Sequence, residues 1–326
     1  MPVLLSEQDV RIVLPMAELI PAMQTAVARF SANEVVQPLR TVVEVGLQKA
    51  FVGVMPAFIG EPAALGTKVV SVFGSNTAVG LPSHLATIVL LDPMTGELLC
   101  VMDGRFITES RTAAVSAVSV KHLARSDASR LAILGSGVQA RSHLEAIGLV
   151  RTLQEVRVWS RSSDNRAAFA REMRHRTTAP IQVAASARDA VDGADLVVLA
   201  TASRDSVIES RWIADGAHVC AVGACRPDQR ETDTALVTRA RVFVDSRAGA
   251  LAEAGDIMLP IAEGAFSGER IAGELGEVVL GRIAGRTAPD EVTLFKSLGM
   301  AVEDVAAAHL AYVKAAERGL GRGFVL

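Results

Sequence analysis

The chain has 326 residues, half of them hydrophobic, and carries a formal net charge of −3 at pH 7. This length is sufficient for two domains with buried cores. The slightly acidic charge gives no reason to expect nucleic acid or an anionic membrane as a partner. No apolar run approaches the ~18 residues that span a bilayer, so we expect a globular protein that does not bind membranes.

The N-terminal segment has acids early and no basic stretch ahead of an apolar one, which argues against a signal peptide. Cys100, Cys220 and Cys225 form neither a C-x-x-C motif nor a metal-type pairing with histidine. We therefore expect a cytoplasmic protein with free thiols and without a metal site.

The first part of the chain is predicted to mix helices and strands. Ser6 is expected to open a helix, and residues 16–32 continue in helical period. Strands are then predicted at 40–47, 50–55, 66–73, 84–91 and 97–102. Helical periodicity returns over 108–124, with Thr108 as the predicted N-cap.

From Arg130 onward, strands and helices alternate, which is typical of a parallel sheet with crossover helices. The predicted strands lie at 131–134, 156–159, 181–184, 196–200, 218–222 and 242–245, and a long final helix is predicted over 298–318. We therefore predict an α/β protein with a Rossmann dinucleotide-binding domain (121–304). An N-terminal α+β substrate and dimerisation domain (1–120) would be joined by the C-terminal helix (305–326).

Residues 131–140, LAILGSGVQA, combine a strand-like run with the G-x-G-x-x-A form of the dinucleotide fingerprint. Gly135 allows a tight turn, Gly137 lets a pyrophosphate approach the backbone, and the small Ala140 lets the helix pack on the strand. The helix N–H groups would then point at the phosphate oxygens. We predict cofactor binding here rather than an ordinary strand-to-helix turn. The predicted contacts are Gly135, Ser136, Gly137, Val138, Gln139 and Ala140.

The end of the second Rossmann strand indicates which cofactor is preferred. An NAD-binding unit usually places Asp or Glu there to hold the ribose hydroxyls. This chain has Ser160, Arg161 and Ser162, with Arg166 a turn later. Guanidinium and hydroxyl groups suit a 2′-phosphate, so we predict NADP(H), with NAD(H) as the second choice. The alternative interpretation is a solvated polar loop.

Three cations of the first domain occupy unusual positions. With Thr108 as N-cap, Arg111 lies in the first helical turn, where a cation opposes the helix dipole. A substrate carboxylate would offset that cost, and a salt bridge to Glu109 or a surface acid is the alternative. Lys68 shares a strand face with apolar residues, and Arg40 follows a Pro-Leu pair. Each of these two, taken alone, is more simply an exposed strand residue.

Taken together, these segments resemble the ornithine cyclodeaminase and mu-crystallin family over nearly the whole chain. The similarity is greatest to its mu-crystallin branch, whose activity is NAD(P)H-dependent ketimine reduction. The matching segments are 38–43, 53–57, 67–68, 82–84, 101–104, 108, 111–114, 135–140, 222–224, 226–228, 245–246, 255–256, 274–277 and 295–304.

The resemblance implies that Arg40, Lys68 and Arg111 hold the carboxylate of the substrate, and we add His84 to this substrate site. It also implies a homodimer formed through the first domain. The implied cofactor contacts outside the glycine turn are Thr112, Ser297, Leu298 and Gly299, and we add Thr201 and Val222. The segment 160–162 resembles the NADPH-type strand end of the mu-crystallin branch.

One position departs from the cyclodeaminase branch. Cyclodeaminases carry an aspartate where this chain has Cys225. A thiol has a pKa near 8.5, against about 3.9 for aspartate, and is a poor general base at neutral pH. We therefore expect weak ornithine deamination. Cys225 joins Lys68 and Arg111 as a catalytic candidate, with a small buried residue of no role as the alternative.

The expected reaction is reduction of a cyclic imine carboxylate, Δ1-pyrroline-2-carboxylate or Δ1-piperideine-2-carboxylate, to L-proline or L-pipecolate. The cations would orient the imine for hydride transfer from NADPH, with Lys68 or water as proton donor. The alternatives are an ornithine cyclodeaminase, an alanine dehydrogenase-like enzyme and a non-catalytic protein that binds NADPH or another small ligand.

Overall fold

The computed structural model describes residues 1–46 and 50–325, with only the backbone at Thr77. The chain forms two compact units, Met1–Arg111 with Met300–Leu326, and Thr112–Gly299. The predicted domain boundaries, after residues 120 and 304, lie inside helices. Helical periodicity does not show where a helix changes its packing partners, so the sequence did not locate these boundaries closely.

The helices and the strands are numbered separately, each in chain order. The helices are α1 (Glu7–Val13), α2 (Met16–Ser31), α3 (Arg105–Leu123), α4 (Val138–Gly148), α5 (Ser163–Met173), α6 (Ala187–Val191), α7 (Thr234–Arg239), α8 (Arg247–Glu253), α9 (Gly255–Ala262), α10 (Leu275–Val279) and α11 (Ala301–Glu317). The strands are β1 (Val3–Leu5), β2 (Val35–Val36), β3 (Thr41–Val45), β4 (Ala50–Ile59), β5 (Ala64–Val72), β6 (His84–Leu91), β7 (Leu98–Asp103), β8 (Arg130–Leu134), β9 (Glu155–Trp159), β10 (Ile181–Val183), β11 (Leu196–Leu199), β12 (His218–Ala221), β13 (Arg241–Val244), β14 (Ile271–Glu274), β15 (Thr293–Lys296) and β16 (Arg322–Gly323).

The first unit contains a mixed sheet in the order β16-β1-β7-β6-β5-β4-β2, with β3 also paired to β4. The pair β1–β7 is parallel, and the other pairs are antiparallel. Along β5 the side chains alternate between faces, so Gly66, Lys68 and Val70 are buried while Val69 is exposed. A Cβ on Gly66 would lie 2.7 Å from the carbonyl oxygen of Val89, so only glycine fits there.

Helix α11 covers the buried face of this sheet. It packs against α2, β4 and β5, as its run of buried small residues allows. The prediction that the last helix returns to the first domain is therefore confirmed. Among the described residues, no single helix is long and apolar enough to cross a membrane. Helices α1 and α2 reach that length and composition only together, across a bend of 86°.

The second unit contains eight parallel strands in the order β10-β9-β8-β11-β12-β15-β13-β14. Strands β8, β11, β12 and β15 are almost wholly buried, as expected when helices cover both faces of a parallel sheet. The strand order reverses direction between β8 and β11. In such sheets a ligand binds outside the carboxyl ends of the strands at this reversal. The predicted α/β class with a Rossmann domain is confirmed.

Three details of the predicted secondary structure were wrong or incomplete. Helix α3 begins at Arg105 rather than after Thr108: Asp103 Oδ1 accepts the N–H of Phe106 at 3.0 Å, and the Thr108 hydroxyl donates to Gly104 O at 2.7 Å inside the helix. Strand β15, which lies between β12 and β13, the edge strand β14 and the short strands β1, β2 and β16 were not predicted. The last helix begins at Ala301, not Leu298. The end of the predicted strand 40–47 lies at Leu47, outside the described residues.

Candidate functional site

The glycine turn has the geometry that dinucleotide binding requires. Gly135 has φ of +124°, and a Cβ there would lie 2.5 Å from the carbonyl oxygen of Ala200, so both conformation and space demand glycine. Gly137 is the N-cap of α4, and a Cβ there would meet no atom within 4 Å. Open space therefore lies beside the first turn of α4, where helix N–H groups favour a phosphate. The buried Ala140 packs α4 on the sheet.

The glycine turn is fixed by polar contacts, one of which the sequence analysis missed. Arg141 Nη1 donates to Ser136 O at 2.5 Å and to Gly137 O at 3.1 Å, and its Nη2 pairs with Glu172. The Ser136 hydroxyl donates to Ser160 Oγ at 2.9 Å, which connects the turn to the end of β9. A cation in the first turn of α4 was the available signal for Arg141.

The predicted 2′-phosphate ligands at the end of β9 differ in their surroundings. Arg161 is exposed. Ser162 is the N-cap of α5, and its hydroxyl accepts the N–H of Asn165 at 3.2 Å. Arg166 Nη1 donates to the carbonyl oxygens of Ala184 at 3.0 Å and Ala185 at 3.4 Å. Arg161 is thus the cation of this segment most open to a phosphate, and Arg166 is committed to backbone oxygens.

The second unit holds the other predicted cofactor contacts. They are Thr201 after β11, Val222 after β12, residues 297–299 after β15, and the buried Thr112 in α3. Asp245 Oδ2 accepts the N–H groups of Leu298 at 2.6 Å and Gly299 at 2.7 Å, and the Ser297 hydroxyl at 3.1 Å. These two N–H groups are therefore directed at Asp245. The same carboxylate explains why the last helix starts after Gly299, whose φ is +78°.

Thr201 follows β11 and Val222 follows β12. Thr201 contacts a residue that the sequence analysis missed. The N–H and hydroxyl of Thr201 both donate to Glu231 Oε1, at 2.6 and 2.8 Å. Glu231 is fully buried. Cys225 lies close to the end of β12. Its thiol donates to Val222 O at 3.4 Å, and its N–H donates to Gln229 Oε1 at 3.3 Å.

In the first unit, Lys68 and Arg111 meet at Asp304. Lys68 Nζ lies 2.7 Å from Asp304 Oδ2 and 3.3 Å from Thr108 Oγ1. Arg111 donates through Nε to Asp304 Oδ1 at 2.9 Å and through Nη1 to Glu303 Oε2 at 2.8 Å. Lys68 is 1% exposed and Arg111 3%, and both carboxylates are fully buried. We call Lys68, Arg111, Glu303 and Asp304 the charged cluster.

The charged cluster corrects two expectations. Lys68 is not an exposed strand residue, because α11 brings Asp304 to its ammonium group. Arg111 lies in the second turn of α3 rather than the first, so the helix dipole does not explain its surroundings. Its salt bridge is also not to Glu109, which pairs with Arg105 at 3.1 Å. Glu303 and Asp304 are functional candidates that the sequence analysis quoted only as part of a family segment.

Burial and neighbouring charges affect the ammonium of Lys68. The pKa of Lys68 is lowered to about 8, mainly by desolvation. Asp304 opposes this lowering, and the positive charges of Arg111 and Arg40 contribute to it. Arg40, half-buried at the start of β3, therefore lies close enough to act on Lys68. Three cations here face two carboxylates, so one positive charge remains when all are ionised. Such a cluster can bind a carboxylate and deliver a proton.

His84 lies at the start of β6, opposite Val72 of β5. Much of the residue is exposed, and its Nδ1 is 3.1 Å from the Ser83 hydroxyl. Desolvation of the ring lowers the pKa of His84, and the charge of Lys68 lowers it further. The lowered pKa favours the neutral imidazole, which can act as a hydrogen-bond partner. Across the described residues, no group of three or more His, Cys, Asp or Glu side chains could hold a metal ion.

Comparison with known proteins places these features in a family. A family model described as the ornithine cyclodeaminase/mu-crystallin family matches residues 1–319. Rat (Rattus norvegicus) ketimine reductase mu-crystallin is 44% identical over 297 residues, which is 90% of this chain and 91% of the rat protein.

Two solved structures share the fold of the whole chain. One is Thermococcus litoralis Δ1-pyrroline-2-carboxylate reductase in complex with NADH and L-proline, with a TM-score of 0.97, 40% identity, and coverage of 99% of this chain and 100% of that one. An archaeal alanine dehydrogenase dimer with bound NAD has a TM-score of 0.95, 29% identity, and coverage of 99% of this chain and 99% of that one. The resemblance inferred from the sequence is confirmed: the chain belongs to the ornithine cyclodeaminase/mu-crystallin family.

Proposed function

We propose that the protein is an NAD(P)H-dependent oxidoreductase that reduces a cyclic ketimine carboxylate to a cyclic amino acid. The substrates are Δ1-pyrroline-2-carboxylate and Δ1-piperideine-2-carboxylate, and the products are L-proline and L-pipecolate. The observation that carries this proposal is the charged cluster with Arg40 beside it: a buried lysine of lowered pKa lies among three cations that face two carboxylates. The names of the rat and Thermococcus relatives support the same substrate class.

The cations of the first unit bind the substrate carboxylate. An ammonium group has three N–H donors, and among the described residues two of those of Lys68 are accounted for by Asp304 and Thr108. The third is directed at a substrate oxygen. Arg111 is held in a fixed orientation by Glu303 and Asp304, so its guanidinium is preorganised and loses little entropy on binding. Arg40 supplies the second positive charge beside Lys68.

Reduction adds a hydride to the imine carbon and a proton to the imine nitrogen. A reduced nicotinamide cofactor, with its pyrophosphate held by the glycine turn, would supply the hydride. Lys68 is the proton donor: with a pKa of about 8 it is mostly protonated at pH 7, yet it releases a proton more readily than an ordinary lysine. Asp304 then stabilises the reprotonated ammonium.

NADPH is the preferred cofactor in this proposal. The support is the exposed Arg161 at the end of β9, where Ser160 connects to the glycine turn and residues 160–162 include no Asp or Glu. A charge-assisted hydrogen bond from arginine to a phosphate favours NADPH over NADH.

Substitution Arg161→Ala tests this preference. We expect the KM for NADPH to rise roughly 10- to 100-fold, since one charge-assisted hydrogen bond contributes about 1.5–3 kcal/mol. The KM for NADH should change little. Arg171→Ala, which removes an exposed arginine from α5, is the matched control. Equal changes for both cofactors in Arg161→Ala would show that Arg161 does not contact the 2′-phosphate.

Cys225 disfavours ornithine cyclodeamination, because its thiol replaces the carboxylate of the cyclodeaminase branch. Reductive amination of pyruvate to alanine is the second candidate function, since the archaeal alanine dehydrogenase shares the fold over 99% of this chain. Ornithine cyclodeamination and reductive amination of pyruvate would both use the same cations to bind the substrate carboxylate. They differ from ketimine reduction in the source of the nitrogen atom, which is an amino group of ornithine or free ammonia.

A substrate panel separates these functions. NADPH oxidation is followed with each cyclic imine, with pyruvate plus ammonia, and, for lyase activity, ammonia release from L-ornithine in the presence of NAD⁺. We expect imine reduction to have the highest kcat/KM by at least a hundredfold, since a positioned general base missing at Cys225 costs about 10²–10⁴ in lyase rate. Tight NADPH binding without turnover of any substrate would instead indicate a binding protein.

We further propose a homodimer formed through the sheet of the first unit. Directly opposed residues of antiparallel strands share a face, and the register places large apolar side chains together on the face away from Lys68. These are Val36, Val43, Phe58, Val69 and Leu85, each 38% or more exposed. An apolar patch of this kind is typical of a subunit interface. We propose a cytoplasmic location because the three cysteines are free.

Substitution Val69→Glu tests the interface. A carboxylate at the centre of the interface would lose its hydration when two subunits associate, which is costly. We therefore expect the Val69→Glu variant to be a monomer. Analytical ultracentrifugation measures the mass. Leu251→Glu, which charges an exposed leucine of the second unit, should leave the dimer intact. A Val69→Glu protein of unchanged mass would exclude this face as the interface.

A further inference from the structure

Glu231 joins the ends of two neighbouring strands of the parallel sheet. Its Oε1 accepts the N–H and hydroxyl of Thr201, which follows β11. Its Oε2 accepts the N–H groups of Gly223 at 2.7 Å and Ala224 at 3.1 Å, which follow β12. A Cβ on Gly223 would lie 2.1 Å from Thr201 O, so the two strand ends are in close contact. One carboxylate thus accepts four hydrogen bonds and holds both ends together.

A second carboxylate and a lysine complete this buried network. Asp256 Oδ1 accepts the N–H groups of Glu231 at 2.8 Å and Thr232 at 2.9 Å. Lys296 Nζ pairs with Asp256 Oδ2 at 2.9 Å and donates to Ala224 O at 2.5 Å. The N–H of Ala224 is therefore bound by Glu231 and its C=O by Lys296, one residue before Cys225. Glu231, Asp256 and Lys296 are all fully buried.

The location of the network indicates what it serves. In a Rossmann sheet the cofactor extends along the carboxyl ends of the strands on both sides of the glycine turn. The adenosine ribose lies toward the end of β9, on one side of β8. The nicotinamide half therefore lies toward β11 and β12, on the other side. All three residues are fully buried and hydrogen-bond to the backbone at the ends of β11 and β12 or to one another, so their role is exerted through the backbone that they hold.

We propose that Glu231 is a positioning residue that, in its ionised form and supported by Asp256 and Lys296, holds the ends of β11 and β12 in the arrangement that binds the nicotinamide half of the cofactor. The proposal rests on the nicotinamide cofactor of the proposed function but not on the imine substrate. It makes cofactor affinity depend on a proton that takes no part in the reaction.

The hydrogen bonds explain why the ionised form is required. A carboxylate offers acceptor sites on both oxygens, whereas a carboxylic acid presents a proton on one of them. That proton would face the donors of Thr201 or those of Gly223 and Ala224, so one strand end would lose its bonds. Burial raises the pKa of Glu231 to about 7, the charge of Lys296 lowers it, and the charge of Asp256 raises it.

No other charged side chain competes with these at Glu231 among the contacts of the described residues. Arg230, its neighbour in the chain, pairs with Glu263 at 2.8 Å. Burial lowers the pKa of Lys296, but the charges of Asp256, Cys225 and Glu231 raise it above its usual value. Protonation of Glu231 near neutral pH is therefore the event that we expect to observe.

The experiment measures the Kd of NADH for the full chain, by quenching of protein fluorescence, between pH 6 and pH 8. NADH is the probe because it lacks a 2′-phosphate, whose own ionisation near pH 6 would confuse the result. We expect the Kd to rise about tenfold from pH 8 to pH 6, as the ionised fraction falls around pH 7. A Kd that is constant over this range overturns the proposal.

Two variants link the pH dependence to Glu231. Glu231→Gln should bind NADH about tenfold more weakly at pH 8 and with no pH dependence, because an amide cannot accept from all four donors. Glu209→Gln, an isosteric change at a partly exposed glutamate that pairs with Arg211, should keep the wild-type profile. If Glu231→Gln does not fold, Thr201→Val removes one bond to the carboxylate and should shift the midpoint to higher pH.

A wild-type pH profile retained in Glu231→Gln, or an unshifted midpoint in Thr201→Val, contradicts the assignment. Because no imine is present, this result is independent of whether the protein reduces ketimines.

Discussion

Replacing Arg111 with alanine should lower the free energy of unfolding by about 3–5 kcal/mol, because it removes one partner of two buried ion pairs, with Glu303 and with Asp304. Urea unfolding followed by circular dichroism measures this change. The effect should be largest above pH 5, where both carboxylates are ionised in the unfolded chain. Asp304 depends on this pairing: burial raises the pKa of Asp304, but the charges of Arg111 and Lys68 together lower it below its usual range.

Arg105→Ala is the matched control for this experiment. Arg105 lies in the same helix and pairs with Glu109, but it remains partly exposed. Its loss should change the free energy of unfolding by no more than about 1 kcal/mol. If Arg111→Ala destabilises the protein as little as Arg105→Ala does, the charged cluster is not a structural unit. In that case the preorganisation of Arg111 has no basis.

Replacing Lys68 with methionine should lower kcat/KM for imine reduction by about 10²–10⁴, since it removes both a carboxylate ligand and the proton donor. Asp304 retains Arg111, so the variant should fold. In the wild type, kcat/KM should fall as pH rises through about 8, because Lys68 loses its proton and its positive charge there. Initial rates of NADPH oxidation between pH 6 and pH 10 provide both results.

The Lys68→Met profile should lack this alkaline limb. Lys121→Met removes an exposed lysine of α3 and should leave rate and profile unchanged. A wild-type profile that is flat from pH 7 to pH 9, or a Lys68→Met variant within threefold of wild type, would mean that Lys68 neither binds the substrate nor protonates it.

The sequence predicted those parts of the structure that depend on neighbouring residues. The glycine turn at Gly135 was predictable because its motif, the preceding apolar run and the following helix lie within a few residues of one another. The unusual position of Lys68 was also visible as a cation among apolar neighbours, and Arg111 was singled out as a cation in the first turn of a helix. The reason given for Arg111 was wrong, since α3 starts at Arg105 and not after Thr108.

The parts that were not predicted depend on distant residues. Arg111 and Asp304 are 193 residues apart, and no local pattern shows that α11 brings Asp304 to Lys68. Strand β15 was missed because it is short and ends in a lysine, which in an isolated sequence argues against a central strand. Only the fold shows that Lys296 is neutralised there by Asp256. Glu231 was overlooked for the same reason: its four donors come from the ends of two other strands.

Product inhibition tests most directly whether buried cations bind the carboxylate of the substrate. The inhibition constants of L-proline and L-prolinamide against imine reduction are compared in wild type and in Lys68→Met. We predict that wild type binds L-proline at least about 100-fold more tightly than the amide, from two charge-assisted hydrogen bonds, and that Lys68→Met loses about tenfold or more of this difference. Equal inhibition of the wild type by acid and amide would contradict the account.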